Sequence, residues 1–276
     1  MKNFTQRAIT AMVFAATVVT LLLFGPWTFL IFSLLVLIPG ILEFYRLMRS
    51  EGVSPQTWMG LVLGISLLGM VIGVVMGFFS YDSLLLLLPM VFSIFILELY
   101  RKAQHPFLNI AVTLMGVLYL ALPVSMMAVI AFVPGISNGE YHGGLVLGCI
   151  FHVWASDTGA YLIGSKFGRN KLFERISPNK SWEGFFGGLV CSAAVAWANH
   201  ALFGILELDQ WIIVSIIIVV TGTLGDLVES LLKRSIHIKD SGNFFPGHGG
   251  ILDRFDAVLV SMPFVCTYLW LVGRFG

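Results

Sequence analysis

Apolar residues in this chain gather into long runs separated by short polar breaks. A helix needs roughly 17 to 25 apolar residues to cross the hydrocarbon of a bilayer. Nine runs meet that length, at about 8–24, 27–45, 57–79, 83–100, 107–133, 143–164, 184–204, 210–229 and 257–274. The pattern predicts an all-α, polytopic integral membrane protein of about nine transmembrane helices. At about 20 residues each the spans use roughly two thirds of the 276 residues, so chemistry has to be built from loops and helix ends. The first run follows Lys2 and Arg7 as a secretory signal would, but Gly25-Pro26 leads into the next run without a small-x-small cleavage site; it reads as a retained helix.

Composition agrees: 58% of residues are hydrophobic and only 11% charged, against about 25% charged in soluble domains. The mean hydropathy is +0.91. Lys and Arg favour cytoplasmic loops, and with the odd-numbered helices starting inside, fifteen of the sixteen basic residues fall on the inner side, Arg274 being the exception. That division predicts a cytoplasmic amino terminus and an external carboxy terminus in the inner cell membrane. Cys149, Cys191 and Cys266 all lie in spans without metal-type spacing and read as packing residues.

The polar groups divide the chain near residue 140. Residues 1–135 are expected to be N-terminal transmembrane helices serving packing. Residues 136–276 are expected to carry the chemistry, with cytoplasmic loops at 165–183 and 230–256. In the third span Gly60, Gly64, Gly69, Gly73 and Gly77 form overlapping small-xxx-small patterns, which predict close helix packing within the chain and leave a homodimer contact open. Pro39, Pro89, Pro123 and Pro263 interrupt apolar runs and predict kinks or helix ends. There is no inverted repeat of the transporter kind.

Between Gly225 and Asp256 the chain places five carboxylates and four basic residues in 32 positions. Charge at the end of an apolar helix is costly and marks a site for ions or an anionic substrate. On a helix Asp226, Glu229, Ser230, Lys233 and Arg234 share one face. Asp157 lies inside the sixth span with Ser156, His152 and Tyr161 on the same stripe, as a site residue or as a carboxylate hydrogen-bonded to its neighbours. The inner loop 165–183 holds five cations, and Ser177-Pro178-Asn179-Lys180-Ser181 leads into a helix; hydroxyl, ammonium and free N–H groups there form an anion-binding corner. Glu183 caps that turn or serves chemistry. Farther on, Pro246-Gly247-His248-Gly249-Gly250 gives backbone N–H groups close approach to phosphate. With Asp226, Asp253 and Asp256 it suggests oxygen ligands for Mg²⁺ flanked by polyphosphate-binding cations. No Walker-type loop and no H-E-x-x-H is present.

Ser230-x-x-Lys233-Arg234, Lys239-Asp240, Gly242, Pro246, His248-Gly249-Gly250 and Asp253-Arg254-Phe255-Asp256 match, at every fixed position, the signature of the phosphatidate cytidylyltransferase (CDP-diacylglycerol synthase) family. Gly225-Asp226, Ser177-Pro178-x-Lys180-Ser181-x-Glu183-Gly184 and Asp157-x-Gly159-Ala160-Tyr161 also resemble family segments. The resemblance is strong over roughly residues 140–276; before that it extends only to being hydrophobic and multi-spanning.

The resemblance implies transfer of the cytidylyl group of CTP to phosphatidic acid at the bilayer surface, giving CDP-diacylglycerol and pyrophosphate. It implies Mg²⁺, leaves an added monovalent cation open, and gives no reason to expect nucleic acid. Asp226, Asp253, Lys233 and Lys239 are the expected catalytic residues. Asp226 and Asp253 would hold the metal, with Asp256 a ligand or a group behind them. Arg234 and Arg254 would join the lysines on phosphates, and His248, Gly249 and Gly250 would shape the polyphosphate loop. Ser177, Lys180, Ser181 and Ser230 would serve substrate, with Asp157 a wall of the same cavity. A transporter for an anionic solute and a CTP-using lipid kinase are the rival readings, separated by product.

Overall fold

The computed structural model describes residues 2–133, 136, 139–238, 241–242 and 249–275, the side chains of 2–8 and 275 excepted. Lys239 and His248 lie outside the described residues. The helices are α1 (Lys2–Leu23), α2 (Pro26–Ser50), α3 (Thr57–Val75), α4 (Leu87–Arg101), α5 (Pro106–Gly116), α6 (Leu122–Ala131), α7 (Gly143–Phe167), α8 (Trp182–Phe203), α9 (Leu208–Ser235) and α10 (Leu252–Phe275). A 3₁₀ turn at Tyr81–Leu86 prefixes α4, and a π turn at Val117–Ala121 joins α5 to α6. Each predicted span therefore corresponds to one helical segment. Among the described residues eight segments are long and apolar enough to cross a membrane, and α1 adds the shorter apolar stretch Ile9–Leu23. The protein is an all-α integral membrane protein, as its apolar runs require.

The prolines do not end helices. Pro39 and Pro263 sit inside α2 and α10, and Pro89 lies in the first turn of α4, where its missing N–H costs nothing. Pro123 has a visible effect. It cannot donate to the carbonyl four residues back, and the helix widens just before it, so that Leu122 N–H donates to Val117 O.

The chain forms two compact units, one of residues 1–21, 26–129 and 240–254, the other of 22–25, 130–239 and 255–276. In the first, Leu37, Ile41, Phe44 and Tyr45 of α2 are buried. Tyr45 donates its hydroxyl to Thr113 O at 2.6 Å, and Gly60 and Gly116 leave room for its ring. Gly64 faces Ile41 and Ala121, and Gly73 faces Phe79, whereas Gly69 and Gly77 meet nothing among the described residues. Three of the five third-span glycines thus serve packing inside the chain. Buried Glu98 accepts from Gln56 at 2.6 Å, Arg101 at 2.8 Å and Asn109 at 2.9 Å, which satisfies a carboxylate on a helix that otherwise buries only Ile94 fully.

In the second unit α7 and α8 pack most closely. A Cβ at Gly159 would lie 2.5 Å from Gly187 O, and one at Gly188 would lie 2.9 Å from Ser156 O. His152 is wholly buried. Its Nδ1 meets Ser192 Oγ at 3.0 Å and its Nε2 meets Asn199 at 3.2 Å. It belongs to helix packing, although sequence places it on the Asp157 stripe. Between α7 and α8 the chain makes a short antiparallel pair, β1 (Lys171–Phe173) and β2 (Ser177–Ser181). The segment expected as a turn is a strand that tolerates Pro178 because it has an open edge.

Candidate active site

A cavity of about 720 Å³ lies in the second unit, lined by α7, the hairpin and α8 and α9, with Ala257 from α10. Ser156, Asp157 and Tyr161 reach it from α7, Ser177 and Lys180 from β2, and Thr223 and Asp226 from α9. The two segments singled out around Asp157 and Lys180 therefore share one space with Asp226. Lys180 Nζ lies 2.6 Å from Asp226 Oδ2 and donates to Thr223 O at 3.2 Å.

The hairpin is held for this purpose. Ser181 is the N-cap of α8, its Oγ accepting from Gly184 N at 3.1 Å. That hydroxyl is engaged by its own helix, and Ser181 still lines the cavity together with Ser177, Asn179 and Lys180 of the expected anion corner. Glu183, the next acidic residue, accepts from Arg169 N at 3.1 Å and from Asn170 Nδ2 at 2.7 Å. Of its two expected roles the geometry supplies the structural one. Trp182 N adds a bond to Asn170 O at 2.9 Å, closing the hairpin onto the start of α8.

On α9 the helical face read from sequence is real, but its members divide into pairs. Ser230 donates to Asp226 Oδ1 at 3.3 Å. Lys233 lies 2.5 Å from Glu229 Oε2, and the Glu229 side chain is only 2% exposed. Arg234 points outward to an exposed position. Glycines bring α10 against this face: a Cβ at Gly225 would lie 2.8 Å from Asp256 O, and one at Gly222 would lie 3.4 Å from Ala257 Cβ. The approach gathers Asp226, Glu229 and Asp256, each offering one oxygen within 4.8 Å of the others. Glu229, recognised in the sequence only as part of a face, thereby joins Asp226 and Asp256 as a candidate ligand. Three carboxylates are the hard oxygen donors that Mg²⁺ prefers.

Asp253, Gly249 and Gly250 belong to the first unit. Asp253 Oδ2 accepts from Ser241 N at 3.0 Å, Ser241 Oγ at 2.9 Å and Gly250 N at 2.9 Å. Gly249 has φ +83°, which a side chain resists, and a Cβ there would lie 2.5 Å from Asp253 Oδ2. Arg254 is exposed. The residue that sequence reasoning missed is Glu43 of α2. It accepts from Ile251 N at 2.9 Å and Leu252 N at 3.3 Å, and from the Ser241 hydroxyl. Its signal was available, since a carboxylate inside an apolar run is a candidate functional group by default.

The cytidylyltransferase family model matches residues 5–272. A phosphatidate cytidylyltransferase of Staphylococcus haemolyticus is 35% identical over 260 residues, covering 93% of this chain and 95% of the relative. One of Bacillus subtilis is 32% identical over 276 residues, covering 96% and 97%. One of Haemophilus influenzae is 41% identical over 142 residues, about half of each chain at 49%. With matches running through both units, the chain belongs to the cytidylyltransferase family, in the group of the phosphatidate cytidylyltransferases.

Proposed function

We propose that the protein transfers the cytidylyl group of CTP to phosphatidic acid, forming CDP-diacylglycerol and pyrophosphate. The observation that carries this reading is Lys180 paired with Asp226 in a cavity that also holds Ser177 and Asp157, beside the Glu229 and Asp256 carboxylates. A phosphate oxygen of phosphatidic acid attacks the α-phosphorus of CTP. The bond from that phosphorus to the oxygen bridging to the β-phosphate breaks, and pyrophosphate leaves with the electron pair. The nucleophile is already an anion, so the step needs no strong base; it needs alignment and neutralisation of charge. Lys180 supplies a mobile ammonium for phosphate, and Ser177 a hydroxyl donor. The Ser181 cap and the Glu183 clamp hold the strand that carries them.

Asp226, Glu229 and Asp256 would hold Mg²⁺, which when bound supplies positive charge against the phosphate oxygens. Asp253, expected from the resemblance as a metal ligand, holds Ser241 and Gly250 through its Oδ2 and would serve the reaction by fixing that backbone; Lys233 acts through the Glu229 it neutralises. The excess of Lys and Arg in the loops predicted to face inward supports a cytoplasmic site, where soluble CTP meets a headgroup whose acyl chains stay in the bilayer. The test is incubation of the purified protein with CTP, Mg²⁺ and phosphatidic acid. Pyrophosphate and CDP-diacylglycerol are the expected products. CDP with a phosphorylated lipid would replace the reading with a lipid kinase, and no turnover of CTP would leave transport.

A further inference from the structure

Glu43 sits in the middle of an apolar helix, yet five groups from a segment about two hundred residues later converge on it. Ser241 Oγ, Ile251 N and Leu252 N donate to its carboxylate. A Cβ at Gly242 would lie 3.0 Å from Glu43 Oε2, and one at Gly250 would run into Oε1. Both stems of the signature segment, Ser241–Gly242 and Gly249–Leu252, therefore end on this one side chain. Ile251 and Leu252 stand at the start of α10, whose first N–H groups have no partner within the helix and carry partial positive charge. A carboxylate from another helix is the group that such a terminus favours.

Asp253 completes the arrangement from inside the segment. It accepts from Ser241 N and Gly250 N, so it ties the two stems to each other while Glu43 ties both to α2. The two glycines of the signature then have a reason beyond backbone access to phosphate: any side chain at Gly250 would displace Glu43, and one at Gly249 would press on Asp253. Resting on the cytidylyl-transfer reading above, we infer that Glu43 is a positioning residue for catalysis, fixing the backbone on which Asp253 and Gly250 are carried. It touches no reacting atom. Its effect passes through the two stems.

The experiment compares Glu43→Gln and Glu43→Ala with wild type in two measurements on the full chain in detergent. The first is kcat and KM for CTP in CDP-diacylglycerol formation; the second is backbone amide exchange by residue segment. Gln retains size and one acceptor oxygen but sets an amide NH₂ against donors, whereas Ala removes both acceptors. Both variants should lose at least tenfold in kcat, Ala more than Gln. Exchange should rise at least tenfold in the 249–252 segment, with α7 and α8 unchanged. Wild-type kcat in Glu43→Ala overturns the inference, and so does unaltered exchange at 249–252. Exchange rising equally throughout both units in both variants also overturns it, because Glu43 would then be a general stability residue. Failure of the wild type to make CDP-diacylglycerol would remove the parent reading, while the exchange measurement would still judge the clamp.

Discussion

Lys180→Met is the sharpest perturbation of the proposed site, because it removes one ammonium and keeps most of the side-chain volume. The ammonium lies 2.6 Å from Asp226 Oδ2, with the lysine side chain 23% and the aspartate side chain 41% exposed. At that exposure an ion pair serving only structure is worth about 0–1 kcal/mol. Each 1.36 kcal/mol is a tenfold change in rate, so a purely structural Lys180 predicts at most about a fivefold loss. A charge-assisted contact to phosphate in the transition state is worth about 1.5–3 kcal/mol, or about 10- to 150-fold in kcat/KM. The expected result is the larger loss, with thermal stability nearly unchanged, measured as CDP-diacylglycerol formed from CTP and phosphatidic acid in mixed micelles. A Lys180→Met enzyme within fivefold of wild type would refute the phosphate role and leave the lysine as a partner for Asp226 alone.

Asp226→Asn and Asp256→Asn should each abolish turnover in the same assay while the protein remains folded, since amides replace the charged oxygens that a hard cation requires; turnover near wild type in either removes that residue from the metal group. Lys233→Met should behave differently from Lys180→Met. It strips the cation from a buried Glu229 2.5 Å away and should destabilise the protein by about 3–5 kcal/mol, seen as a lowered melting temperature. An unchanged melting temperature would argue that Glu229 does not depend on the lysine. Cysteines placed at Glu140 and Asn170, exposed positions on either side of α7, should react with an impermeant maleimide from outside and from the cytoplasm respectively. Labelling of both from one side would break the topology.

The helices were readable because the bilayer imposes a length that apolar runs report directly, and every predicted span has a helical counterpart. The Asp226–Ser230 and Glu229–Lys233 pairs were readable too, since four-residue spacing on a helix is a local property. Contacts made in three dimensions were harder to see. Glu43 meets Ile251 across 208 positions, and nothing local to either residue announces the other. The strand at Ser177–Ser181 depends on pairing with Lys171–Phe173, so its own Ser-Pro spelling suggested a turn. His152 lay on the correct helix, but the partner that decided its role, Ser192, is 40 residues away.

Gly225 lets α10 approach so closely that a single added carbon would stand 2.8 Å from the Asp256 carbonyl. The separation of the Asp226 and Asp256 backbones is thus set by two helices in contact, and their carboxylates turn about that fixed frame. Such a site behaves like a fixed-jaw gauge. A ligand that needs the two backbones farther apart would have to pry apart helices, at the cost of their shared face. Selectivity by size would then come from where a hydrogen atom replaces a methyl group, one residue away from the chemistry.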